Sequence, residues 1–338
     1  MEKQSKKIAV LILNWNGVKL LEKYLPSVVK YNSSEAEIII IDNASQDNSI
    51  LFLQNTYPNI KRIEFKVNYG FAKGYNKAIN IISHKYIVLL NSDVRVTKNW
   101  LQPPIEFLNS NLEYAVCQPK ILDDKKPIKF EYSGASGGYI DALGYPFCRG
   151  RIFDCIEDDR GQYDDIEDIF WASGASLFIR REIYIKLGGL DESYFAHQEE
   201  IDLCWRILHQ GYKIACIPES KVYHLGGATL DKSKPKKTFL NFRNNLVMLL
   251  KNLPSYALPI IFIRLLLDGL AAIKFLTEGK ISHSFAIFKA HISFYVKIPD
   301  TIIKRRKTGT ISSKIKYNGS ILIDYYLKRN KRFNDLNW

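Results

Sequence analysis

The sequence predicts an α/β fold, with a mostly parallel central sheet flanked by helices and a helical C-terminal extension. Three observations carry this. Short, uninterrupted apolar runs at residues 8–13, 38–41 and 86–90 suit strands buried on both faces of a parallel sheet. Helical periodicity fills the intervals between them, and strand alternating with helix marks βαβ units. Each run also ends in a polar cluster, and ligands of doubly wound sheets bind at the carboxyl ends of strands.

The first run ends in Asn14-Trp15-Asn16-Gly17, and residues 18–31 then place Leu20, Leu21, Leu25, Val28 and Val29 at helical spacing. The second run ends in Asp42-Asn43-Ala44-Ser45 and leads to a short helix over 48–56. A glycine-punctuated loop, Asn68-Tyr69-Gly70-Phe71-Ala72-Lys73-Gly74-Tyr75-Asn76, enters a helix over 72–82, and the third run ends in Asn91-Ser92-Asp93. Residues 154–168 hold eight acidic side chains and read as an exposed, mobile loop. Residues 169–180, with Trp171 and Gly174, are strand-like. Residues 199–210 form a helix capped by Gly211. Short strands at 215–218 and 222–223 precede His224.

An acidic residue at a strand's carboxyl end, as Asp42 is, suits ribose hydroxyls or a base N–H, although Asp, Asn and Ser equally cap helices. The glycines of 68–76 let backbone approach a ligand, and a helix N-terminus favours anions. Asp93 and His224 are candidate ligands for a divalent ion on diphosphate oxygens. His197-Gln198-Glu199-Glu200-Ile201-Asp202 puts three carboxylates at a helix start. The macrodipole stabilises anions there, and one of the three could also serve as a general base. Glu199 and Asp202 share a face, whereas Glu200 points elsewhere.

Taken in order, these segments resemble the family 2 glycosyltransferases. The matching residues are IAVLILNWNG (8–17), IIIIDNASQDNS (38–49), NYGFAKGYN (68–76), LLNSDV (89–94), FWASGASLFIR (170–180), GGLDESYFAHQEEIDLCWR (188–206) and YHLGG (223–227). The run from Gly144 to Ala175 resembles the rhamnosyltransferase-type branch. The resemblance implies a GT-A fold, Rossmann-like, over residues 1–235, with a donor half to about residue 100 and an acceptor half beyond. It implies inverting transfer of a sugar, such as the deoxyhexose rhamnose, from a dTDP- or UDP-sugar to a glycan or lipid-linked acceptor, with Mg²⁺ or Mn²⁺ as cofactor. Asn14, Trp15, Asn16, Asp42, Asn68, Gly70, Phe71, Gly74 and Asn76 would hold the nucleotide. Asn91-Ser92-Asp93 occupies the place of the D-x-D signature with Asn first, which leaves Asp93 and His224 for the metal. Glu200 matches the usual base, with Glu199 and Asp202 as alternatives, and Trp171, Gly174 and His197 fall on the acceptor side.

The net charge of +13 invites a nucleic-acid reading, but it is unevenly spread. Residues 1–230 hold 27 Lys+Arg against 29 Asp+Glu, and residues 231–338 hold 21 against 6. No RNA-recognition, zinc-finger or helix-turn-helix pattern accompanies the excess, so nucleic acid is not an expected partner. Residues 239–253 form an amphipathic helix ended by Pro254, and 260–276 is strongly apolar but carries Arg264, Asp268 and Lys274. The longest uncharged stretch, 252–263, has 12 residues, short of the roughly 20 that cross a bilayer. Residues 236–338, with their Lys304-Arg305-Arg306-Lys307 cluster, therefore read as an interfacial anchor on an anionic membrane. The alternative is a solvated helical tail packed on the catalytic domain. Five cysteines without C-x-x-C spacing, and a start with no long apolar segment, predict a cytoplasmic protein at the membrane's cytoplasmic face. A nucleotide-sugar-binding protein without catalysis is the competing function.

Overall fold

The computed structural model describes residues 6–226, 234–305, 309, 311–312 and 314–338. Gly227, Arg306 and Lys307, named above, lie outside the described residues. The chain opens with β1 (Ile8–Asn14), α1 (Val18–Lys30), β2 (Ala36–Asp42), α2 (Ser49–Thr56), β3 (Lys61–Glu64), α3 (Gly70–Asn80) and β4 (Tyr86–Asn91). β1 pairs in parallel with both β2 and β4, and β2 with β3. Ala9, Leu11, Ile39, Ile41, Ile87 and Leu89 enter one buried cluster, while Val10, Ile12, Ile38, Ile40, Val88 and Leu90 enter another. Successive strand side chains point to opposite faces, so a sheet covered on both sides needs apolar residues at every position.

The chain then adds β5 (Val94–Val96), α4 (Gln102–Ser110), β6 (Tyr114–Asp123) and a four-stranded antiparallel sheet of β7 (Gly138–Ile140), β8 (Pro146–Cys148), β9 (Arg151–Ile152) and β10 (Cys155–Ile156). It continues through β11 (Glu167–Asp168), β12 (Ser176–Arg180), α5 (Arg181–Lys186), α6 (Glu199–His209) and β13 (Lys213–His224). The central sheet runs β11-β13-β6-β12-β4-β1-β2-β3, with β5 beside β13. It is mixed, because β12 runs antiparallel to β4 and β6.

Two expectations need correction. The short strands at 215–218 and 222–223 are halves of one strand, β13, whose register on β6 slips between Ile217 and Lys221. Pro218 lies in the slip, and proline, lacking an N–H, is tolerated in sheets at such irregularities. The acidic segment 154–168 is anchored along its length. Lys120, buried in the sheet, pairs with Asp159 at 2.8 Å and also with Asp164; Arg149 holds Asp165 at 2.8 Å, and Lys129 holds Asp158 at 2.9 Å. Tyr163 is buried beside Phe130. The cations that neutralise this run lie 16 to 44 residues upstream, where a local charge count cannot register them.

The C-terminal region comprises α7 (Pro235–Asn252), α8 (Pro259–Thr277) and α9 (Ile281–Lys304). Leu246, Met248 and Leu249 of α7 belong to the same buried cluster as β1 and β2. Tyr317, Phe333 and Trp338 fold back onto Tyr139 and Phe147 of the small sheet. Among the described residues no helix is long and apolar enough to cross a membrane.

Candidate active site

The carboxyl ends of β1, β2 and β4 meet as the sheet requires. Asn14, fully buried, donates from Nδ2 to Asp42 Oδ1 (3.0 Å) and Ser45 Oγ (3.1 Å), and Asp42 Oδ2 accepts from the Ser45 N–H (2.9 Å). Asn16, at φ 50°, accepts from the Gln46 N–H, while Trp15 is exposed. These contacts shape a rim on which Trp15 stands free. Asp47 is a cap: Oδ2 accepts from the Val18 N–H at the start of α1, and Oδ1 from the Ser49 N–H at the start of α2.

Asn43, which sequence reasoning did not single out, ties the next loop down. Its Nδ2 donates to Asn68 Oδ1 (2.9 Å) and Gly70 O (3.0 Å), and its Oδ1 accepts from the Tyr69 N–H (2.9 Å). Gly70 adopts φ +77°, a conformation that costs a Cβ-bearing residue. Gly74 abuts Leu13 and Asn43. Asn76 faces the other way, with its amide engaged by Leu190, Tyr184 and Glu192.

At the end of β4, Asp93 Oδ1 lies 3.2 Å from His224 Nε2 and the Asn91 amide lies 3.5 Å from the same nitrogen, with Ser92 between them in sequence. The β5–β13 pairing creates this meeting by setting His224 opposite Val94. Glu131, also buried and invisible to motif reading, stands 3.4 Å from His224 Nδ1. Burial opposes the charged imidazole, but Glu131 and Asp93 outweigh it and hold the His224 pKa at about 10. The Asp93 carboxylate suits Mg²⁺ or Mn²⁺, whereas an imidazole donor suits a transition ion better than Mg²⁺. Among the described residues no three His, Cys, Asp or Glu gather into a complete metal cage. Asp93 and His224 could supply two donors to a divalent ion whose remaining positions are filled by substrate phosphates. A ligating histidine commonly gives its other N–H to a carboxylate, and Glu131 stands where that partner belongs. Glu131→Gln should therefore weaken Mn²⁺ binding by roughly 10- to 100-fold, readable by titration of the full chain; unchanged affinity would remove Glu131 from the metal's support.

The third cluster sits at the start of α6. Gly174 faces both other parts of the cleft: a Cβ there would lie 3.7 Å from the Phe71 ring and 3.9 Å from Glu200 Cβ. Both are ordinary contact distances, so residue 174 marks where Phe71 of α3 and Glu200 of α6 come near each other, and a Cβ would fit there. Glu200 Oε2 and Glu199 Oε2 have no hydrogen-bond partner, and neither has His197 Nε2. Burial pushes the Glu200 carboxyl up to about 7, and burial together with Glu200 pushes Glu199 well above the carboxylate range. Burial lowers His197 to about 4, so its imidazole is neutral. Asp202 is committed elsewhere. It accepts from Arg206 Nε (2.8 Å), Lys251 Nζ (2.9 Å) and Asn252 Nδ2 (2.9 Å), and it is fully buried. Trp171 is likewise a core residue, its indole N–H donated to Tyr139 O (2.9 Å).

The loop before α6 is strained, with Phe195, His197 and Gln198 at φ 68°, 70° and 71°. Such conformations persist only where surroundings over-determine them, and α7 supplies the restraint. Asn244 Nδ2 donates to the carbonyls of Ala196 (2.9 Å) and His197 (2.8 Å), and Arg243 Nη2 to that of Tyr194 (2.8 Å). No sequence signal marked Arg243 or Asn244.

The comparisons with known proteins agree with this fold. N-acetylglucosaminyl-diphospho-decaprenol L-rhamnosyltransferase of Mycobacterium tuberculosis (strain CDC 1551 / Oshkosh) is 22% identical over 235 residues, covering 64% of this chain and 75% of the relative. Among solved structures, S. aureus TarS 1-349 in complex with UDP-GlcNAc superposes with a TM-score of 0.57 at 15% identity, covering 88% and 84% of the two chains. The mannosyltransferase PcManGT of Pyrobaculum calidifontis, in complex with GDP-Man and Mn²⁺, superposes at 0.53 with 13% identity, covering 87% and 88%. The family model for glycosyl transferase family 2 matches residues 9–186, from β1 through the donor-side clusters and the 170–180 segment, and the chain belongs to that family, with rhamnosyltransferase-like relatives.

Proposed function

We propose that this protein is an inverting, metal-dependent hexosyltransferase. It would move a deoxyhexose such as rhamnose from a dTDP- or UDP-sugar to a hydroxyl of a glycan or lipid-linked acceptor in cell-surface polysaccharide synthesis. The acceptor is met at the cytoplasmic face of an anionic membrane. The observation that carries the proposal is Glu200. Of the three carboxylates opening α6, it combines an unpartnered oxygen with a place beside Phe71 and Gly174, whereas Asp202 is spent on cations.

The residues divide the work by position. Asn14, Asn16, Trp15 and Asp42 border the nucleoside, and the loop held by Asn43 brings Asn68, Gly70, Phe71 and Gly74 over it. Asp93 and His224 would hold a divalent ion, whose chemistry when bound is to neutralise charge developing on the diphosphate. The sugar leaves through an oxocarbenium-like transition state. Glu200 Oε2 accepts the acceptor hydroxyl's proton as that oxygen attacks from the opposite face. A single displacement inverts the anomeric centre and requires no glycosyl-enzyme.

A base with a pKa near 7 is protonated and idle below that pH. At limiting substrate, kcat/KM, which reports the groups of the free enzyme, should therefore rise with pH along an acid limb of apparent pKa about 7. A profile flat from pH 5 to 8 would take Glu200 out of the role. The direct test of the whole proposal is a thermal-shift screen of nucleotide sugars with and without Mn²⁺, since a ligand that binds only the native state raises Tm. Folded protein that responds to no donor would refute it, and donor binding without turnover on acceptors would leave a binding protein.

A further inference from the structure

α8 is inside-out. Its charged residues Arg264 and Asp268 are 3% and 1% exposed, paired at 3.7 Å, with Arg264 also donating to Leu143 O and lying 3.5 Å over the Tyr145 ring. His291 of α9 approaches Asp268 at 3.4 Å from the other helix. The opposite face of α8 carries Phe262 and Leu270, 65% and 62% exposed, with Leu266 between them. A helix on an aqueous surface turns its charges outward and its apolar stripe inward; this one does the reverse. α9 buries Ala286, Ile287 and Ala290 in the ordinary way, yet it too leaves large apolar side chains exposed, Phe285, Phe288 and Ile292 among them. Exposed apolar surface of this extent marks a contact with something other than water.

We infer that the outer face of the α8–α9 hairpin is a lipid-docking surface that lies in the interface of an anionic bilayer, its apolar stripes among the acyl chains. This deepens the membrane location proposed above. Charge selects the occupant. Residues 231–338 hold 21 Lys+Arg against 6 Asp+Glu, and exposed Lys274, Lys280 and Lys289 border the stripes. Glu278 pairs with the first two, which leaves the turn between the helices net positive. Basic residues around buried apolar area are what holds a helix in an anionic interface. A second copy docking face to face would bring two faces that both carry exposed lysines together, a like-charge juxtaposition that an anionic surface avoids. Neither helix meets the length and apolarity of a span, so the hairpin lies along the surface.

The test is co-sedimentation of the full chain with vesicles of phosphatidylcholine alone or with one third phosphatidylglycerol, at low and high salt. Binding should favour the anionic vesicles and weaken with salt. Leu266→Glu with Leu270→Glu, both solvent-facing, should lower it at least tenfold, and Lys280→Glu with Lys289→Glu should remove the preference for anionic lipid. Wild-type protein that stays in solution at low salt, or a Leu266/Leu270 variant that binds as well as wild type, would overturn the inference. A soluble dimer that the same substitutions dissociate would assign the face to a second copy and overturn it too. The nucleotide-sugar thermal shift, run on each variant without lipid, checks the fold and separates the two readings. Donor binding without vesicle binding rejects the surface alone, and the converse rejects sugar transfer alone.

Discussion

Glu200→Gln should cost sugar transfer about 10³-fold, within the range that general-base catalysis supplies, while donor affinity stays within about twofold. The amide keeps the size and position of the carboxylate beside Gly174 and Phe71 but cannot take a proton. Turnover with donor and acceptor, beside calorimetric titration of the donor, reads both quantities. Glu199→Gln serves as the comparison. Glu199 is 5% exposed, and burial together with its neighbour's carboxylate pushes its own proton on rather than off. A Glu200→Gln enzyme with ordinary turnover, beside an inactive Glu199→Gln enzyme, would transfer the role to Glu199.

The second large effect is on stability. Asp202→Ala should lower the unfolding free energy by about 3–5 kcal/mol, the usual consequence of removing one member of a buried ion pair. Arg206 and Lys251 would remain buried without their shared anion, and Asn252 would keep only one of its two acceptors, the Met248 carbonyl. Lys251 would keep Asp191 at 2.7 Å, and Arg206 would keep only the carbonyls of Leu187 and Gly189. Urea denaturation of wild type and variant measures the difference. Domains of this kind are stable by only about 5–15 kcal/mol, so the loss is a large fraction of the whole. An Asp202→Ala protein of unchanged stability that lost turnover would place Asp202 in the reaction instead of in the frame.

The donor half was legible because its physics is local. Three apolar runs fix three parallel strands, and the polar residue after each lands at the same edge of the sheet, so Asn14, Asp42 and Asn91–Asp93 could be grouped from sequence alone. Helix periodicity likewise located α1, α2, α3 and α6 to within two residues. What escaped depends on pairing between distant segments. Glu131 reaches His224 because Phe130 bridges back to Leu122 of β6, which lies beside β13, and Lys120 finds its acidic partners across 39 and 44 residues. The sequence kept Glu199 and Asp202 as alternatives to Glu200 at the start of α6. Only the cations arriving from α7 and from one turn along α6 separate Asp202 from Glu200. Asn76 and Trp171 fell inside motifs, yet their polar atoms are taken up by neighbouring structure, because a motif marks a stretch of chain and not the direction of each side chain.

The restraint that α7 places on residues 194–197 has a consequence for modular exchange. The family match ends at residue 186, which invites treating everything later as an interchangeable appendage that sets where the protein resides. Arg243, Asn244, Lys251 and Asn252 make that exchange conditional. A chimera that swaps the last third for another segment inherits the strand-end clusters intact but loses the splint on the segment leading to Glu200. Recombination between relatives should then succeed at junctions after Asn252 and fail at junctions before Arg243, wherever a permissive linker happens to fall.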